Sequence, residues 1–111
     1  MVNFIKSADS KIKINEDVSY MLNGALHVNA VFTATGAVEA NNPVLRVNLP
    51  NVGAHAEINW YNTSSDFAPT AAATVKNTTS SVDGLHNITI QLGEATATEQ
   101  EYHIEGWIEL P

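Results

Sequence analysis

Residues 19–35 read Ser-Tyr-Met-Leu-Asn-Gly-Ala-Leu-His-Val-Asn-Ala-Val-Phe-Thr-Ala-Thr, and their period is two. The even positions are Tyr20, Leu22, Gly24, Leu26, Val28, Ala30, Phe32 and Ala34, while the odd ones include Ser19, Asn23, His27, Asn29, Thr33 and Thr35. Strict alternation over this length predicts one long strand with an apolar face turned to a core and a polar face turned outward. Gly24 falls on the inward set, where a missing side chain marks a bulge, a bend or the close approach of another backbone.

The same alternation recurs on both sides. Lys11–Asn15 sets Ile12 and Ile14 against two lysines, the pattern of an edge strand guarded by charge. Between Pro43 and Pro50, Leu45, Val47 and Leu49 alternate with Arg46 and Asn48. Residues 54–61 place Ala54, Ala56, Ile58 and Trp60 inward and His55, Glu57, Asn59 and Tyr61 outward. A weaker strand is expected over Thr70–Lys76. Asn87–Leu92 follows the turn signal Asp83-Gly84, and Glu101–Leu110 carries Tyr102, Ile104, Gly106, Ile108 and Leu110 on one face. No segment holds a convincing helical period; the alanine-rich Thr70–Lys76 could form a short helix, but its Thr and Val and the flanking Asn-Thr-Thr argue for strand or loop.

Seven to eight short strands with turn residues between them predict an all-β fold, an antiparallel sandwich of jelly-roll type. Its longest connections would be 62–69, 77–84 and 93–100, and loops of that kind commonly carry function. With 111 residues the chain makes a single domain spanning 1–111, in which 1–17 forms an N-terminal edge strand or arm. Leu, Ile, Val and Phe supply about a quarter of the residues, enough for one core.

The net charge of −7 is unevenly placed. Acids and bases cancel up to Arg46, and beyond it eight acids face one base, Lys76. That field repels phosphate backbones and anionic lipid, so neither nucleic acid nor membrane insertion is an expected partnership. Cysteine is absent, which removes disulfides, thiolate nucleophiles and Cys-based metal sites. No signal-peptide-like apolar run opens the sequence, and synthesis in the cytoplasm without a signal peptide is expected.

Catalytic patterns are missing. There is no Gly-x-Ser-x-Gly elbow, no phosphate-binding glycine loop, and no His-x-His or His-Glu-x-x-His pair, so neither an enzyme nor a cofactor or metal is expected. The pairs His55-x-Glu57 and His103-x-Glu105 place imidazole and carboxylate on one strand face about 7 Å apart, a spacing more usual on surfaces than in catalysis.

The aromatic residues are more informative. Trp107 falls out of phase with the core face of its strand and shares the outward face with His103, Glu105 and Glu109; Tyr61 is out of phase with Trp60, and Phe67 sits in a polar connection. Two explanations stand side by side: a subunit interface or ligand platform covers these rings, or they belong to a second buried sheet face. Val31 and Met21, apolar on an otherwise polar face, favour an interface. Trp107, Tyr61, His103 and Glu105 are the candidate contact residues, able to stack on a sugar face and to exchange hydrogen bonds with hydroxyls.

Gly24-Ala-Leu-His-Val28, Phe32-Thr-Ala-Thr-Gly36 and Val44-Leu-Arg-Val-Asn-Leu-Pro50 resemble the small β-sandwich head or tip modules of tail-fibre, baseplate and receptor-binding proteins of phages that infect Gram-positive bacteria. There a long glycine-containing strand runs into a hairpin ending in Leu-Pro, and a strand closes the chain. The resemblance covers about residues 18–50 and the last ten, and it departs after Pro50, where Asn51-Val-Gly-Ala54 replaces a further proline turn. It implies a homotrimer in a phage or prophage virion that binds host-surface saccharide without catalysis. The alternatives are a virion assembly, decoration or adaptor subunit without a ligand, and an acidic inhibitor of a host protein.

Overall fold

The structure, a computed structural model, describes residues 4–65, 69–82 and 84–111, with the side chains of 79–82 left aside. Nine strands occur among these: β1 (Lys6–Ser7), β2 (Ile12–Asp17), β3 (Tyr20–Leu22), β4 (Ala25–Ala34), β5 (Pro43–Leu49), β6 (Ala56–Asn62), β7 (Ala71–Val82), β8 (Leu85–Leu92) and β9 (Gln100–Glu109). The fold is all-β, and every pairing is antiparallel. The strands form one continuous sheet in the order β1-β5-β8-β7-β6-β9-β4-β2, with β3 also on β4. The sheet rolls until its two ends approach, where the Ile5 amide donates to Asp17 Oδ2 at 2.9 Å. The architecture is thus a nearly closed, barrel-like sandwich with nine strands where seven to eight were expected.

The long strand expected over 19–35 is a hairpin. Asn23 and Gly24 both take left-handed conformations, with φ of 51° and 75°, and Leu22 pairs with Ala25 across them. An Asn-Gly pair closing two strands in this way matches the right-handed twist of the sheet. The turn changes the assignment of what precedes it: Tyr20 and Leu22, expected inward, are 50% and 52% exposed.

From Ala25 onward the alternation holds. Leu26, Val28, Ala30, Phe32 and Ala34 are buried and the residues between them half-buried. Leu45, Val47 and Leu49 of β5, Ile88, Ile90 and Leu92 of β8, and Tyr102, Ile104 and Ile108 of β9 complete one core. At its centre Phe32 stacks on Tyr102 with ring centroids 5.4 Å apart, and Trp60 tilts against the same tyrosine at 5.7 Å. β2 is an edge strand as expected, its Ile12 buried and its Lys11 and Lys13 exposed.

Two further differences concern strand limits. β6 begins at Ala56, so Ala54 and His55 precede the strand, and Ala54 and Ala56 are exposed rather than inward. β7 runs through Asn77–Val82, expected as a connection, because β8 pairs with it as far as Val82, with a bulge between Asn77 and Ser81. Asp83 of the expected turn lies outside the described residues; Gly84 beside it has φ of 78°.

Consecutive hairpins join β6, β7 and β8, whereas β9 crosses the sheet to lie between β6 and β4. The connection before β9 is anchored by Thr96. It is buried, its amide donates to the Val38 carbonyl at 3.0 Å, and its hydroxyl oxygen accepts from the Val38 amide at 2.8 Å. This loop packs into the body of the fold.

Candidate functional site

β9 is flanked in register by β6 and β4, so their outer faces form a small matrix of side chains. One row is Glu57, Trp107 and His27, the next Asn59, Glu105 and Asn29, and the third Tyr61, His103 and Val31. β3 extends the first row, because Tyr20 pairs with His27. Strand spacing makes neighbours within a row about 5 Å apart, and rows on one face about 7 Å apart. A groove of about 430 Å³ runs over this surface. Its walls include Tyr20, Tyr61, Trp107 and Thr70, and its floor is the backbone at Val28 and Gly106.

All four residues singled out from the sequence lie together here. Trp107 is 41% exposed and Tyr61 38%, on a face that no other part of the described chain covers. His103 is held from both sides. Its Nε2 donates to Asn29 Oδ1 at 2.8 Å, its Nδ1 lies 3.0 Å from the Tyr61 hydroxyl, and the Tyr61 ring meets it edge-on at 5.2 Å. With Nε2 donating, a neutral imidazole accepts the Tyr61 proton at Nδ1, so the two contacts fix one tautomer and orient both rings. Glu105 Oε2 stands 3.7 Å from His103 Nε2.

Sequence reasoning left out Tyr20, Asn29, Asn59, Glu57 and Thr70. Tyr20 was assigned to the core, yet it lies flat on His27 with centroids 4.8 Å apart and an interplanar angle of 8°. The signal that could have found it is Asn23-Gly24, since a two-residue turn brings Tyr20 opposite His27. His55 stands apart from this group, exposed just before β6. Phe67 lies outside the described residues. Among the described residues, the connections, where function was expected, supply only Thr70, at the margin of the groove.

The arrangement suits recognition. Two aromatic platforms, Trp107 and the Tyr20–His27 stack, flank amide, imidazole and carboxylate groups, and such surfaces bind ligands that have one apolar face and a polar edge. Among the described residues no three His, Asp or Glu side chains gather as metal ligands. No family model, no curated protein and no solved structure matches this chain, so the groove on β3, β4, β9 and β6 carries the functional argument by its own chemistry.

Proposed function

We propose that the protein is a non-catalytic recognition module that binds a saccharide in the groove over β4, β9 and β6. The observation that carries this is Trp107, exposed beside the Tyr20–His27 stack and within one row of Glu105, Asn29 and Asn59. A sugar ring offers an apolar face to the indole and hydroxyls to those groups, and His103 is already oriented by Tyr61 and Asn29, which lowers the ordering cost of binding. The groove has room for one or two sugar rings. The resemblance of residues 18–50 and the last ten to phage head modules supplies the setting, a phage or prophage particle that meets a host-surface saccharide.

Self-association is part of the proposal. Val18, Met21 and Leu22 are exposed along the β3 edge, an apolar strip that monomers seldom leave open and that a homo-oligomer, a trimer by the resemblance, covers. Light scattering across a dilution series at two salt concentrations is expected to give a multiple of 12.0 kDa, and Leu22→Glu is expected to shift it to the monomer. A strict monomer at all concentrations removes the oligomeric part. A panel of cell-wall and capsular glycans, titrated calorimetrically, tests the groove; the expected result is micromolar to millimolar binding to a subset, and binding to none overturns the saccharide reading.

A further inference from the structure

Resting on the reading of the groove as a saccharide site, we propose that its ligand carries a cationic group, an ammonium or a trimethylammonium, seated on the Trp107 ring between Glu57 and Glu105. Glu57 is directly opposite Trp107 on β6, and Glu105 precedes it by two residues on the same face of β9. The indole therefore has one carboxylate beside it across the ladder and one below it along the strand.

Both carboxylates are available. The Glu57 side chain is exposed and makes no hydrogen bond or ion pair among the described residues, and the Glu105 carboxylate, on a side chain 66% exposed, approaches only His103. The other acids of β9 are engaged elsewhere: Glu101 Oε1 accepts from the Thr63 hydroxyl at 2.7 Å, and Glu109 Oε1 from the Ala54 amide at 3.2 Å. No lysine or arginine occurs on β3, β4, β6 or β9. The nearest base in register is Lys76 on β7, three residues beyond Ala73, which pairs with Ile58, so about 10 Å along the strand, and it makes no ion pair among the described residues; Lys13, opposite Thr33 on β4, is about 20 Å from His27.

A neutral sugar would leave both carboxylates without a counter-charge, and an anionic one would be repelled by them. A cation meets the negative face of an indole, the best cation–π partner among side chains, with two carboxylates to neutralise it. Charge complementarity and the aromatic platform thus select the same ligand class.

The test compares an N,N,N-trimethylated chitosan oligosaccharide with the N-acetylated oligomer of the same length, so that the positive charge is permanent and independent of the state of His27 and His103. The cationic oligomer is expected to bind about tenfold more tightly in calorimetric titration, the advantage shrinking as salt is raised. In Glu57→Gln/Glu105→Gln the preference should vanish while neutral binding persists. Equal binding of the two oligomers overturns the cationic inference and leaves the saccharide reading standing. Tighter binding of the N-acetylated oligomer overturns it as well, and so does a failure of both to bind, in which case the saccharide reading rests on the wider glycan panel. A cationic preference that survives the double glutamine variant also overturns it, since the charge would then be read elsewhere.

Discussion

Gly106→Ala is expected to cost about 3 kcal/mol or more and to leave the protein largely unfolded or insoluble at physiological temperature. Gly106 is at the middle of β9, paired on one side with Val28 and on the other with Ile58. A β-carbon there would stand 2.0 Å from the Glu57 carbonyl oxygen and 2.7 Å from the Ile58 Cα. Both are backbone atoms, so no rotamer change relieves the overlap. β6 must withdraw by more than an ångström, and the ladder from Ala56 to Asn62 opens with it. Gly24 supplies the comparison. A β-carbon at Gly24 meets nothing within 4 Å, and Gly24→Ala carries only the conformational penalty of φ at +75°, about 1 kcal/mol. Thermal unfolding followed by circular dichroism should rank them, with Gly24→Ala lowering the midpoint by about 4–8 °C and Gly106→Ala by about 12 °C or more. Equal midpoints for the two variants would mean that β6 does not close over β9 at this point. Because the Gly106 backbone also floors the groove, the same substitution should remove binding in whatever fraction remains folded.

How much of this was legible in the sequence depends on the element. β4 from Ala25, β5, β8 and β9 were readable because each has one face in the core and one in solvent, so burial imposes period two directly on residue type. Tyr20 and Leu22 misled for a definite reason. Residues i and i+3 across a two-residue turn share a face, so even positions before Asn23-Gly24 stand on the same side as odd positions after it. Alternation that runs unbroken through the turn therefore places the first strand's apolar residues outside. β7 was faint because Ala71, Ala73 and Val75 are its inward residues, too small to contrast with their polar neighbours. Its length comes from pairing with β6 and β8, a tertiary cause.

The site divides in the same way. Trp107, Glu105 and His103 are two residues apart on one strand, so their shared face followed from β9 alone. That Asn29 and His27 approach from one side and Glu57, Asn59 and Tyr61 from the other requires β9 to lie between β4 and β6. The crossing that puts it there is long-range, and nothing local encodes it. The outward tryptophan was visible; the groove around it was a property of sheet order.

The two tryptophans should accordingly separate stability from binding. Trp60 is 6% exposed, packed on Tyr102 within the core, and its indole Nε1 has no hydrogen-bond partner among the described residues. Trp60→Ala removes that ring from a closed core, and the cavity and lost burial should cost about 3–5 kcal/mol. The orphaned N–H offsets part of this, since the substitution also removes a donor that is desolvated without compensation. Trp107 projects from the opposite face of its sheet with 41% of its surface in solvent, so Trp107→Ala opens no cavity and should change stability by about 1 kcal/mol or less. Its effect belongs on affinity. An aromatic anchor at the centre of a groove commonly carries 2 kcal/mol or more of binding, so about a thirtyfold loss is expected for any glycan that the parent binds. Midpoints and titrations on both variants make the comparison. If Trp107→Ala melts alongside Trp60→Ala, the outer ring is a structural element of the sheet. If it melts with the parent and binds as the parent does, the ligand sits elsewhere and the exposed indole takes no part in binding it. Loss of binding with the fold retained is the outcome that assigns the outer face of β9 to recognition.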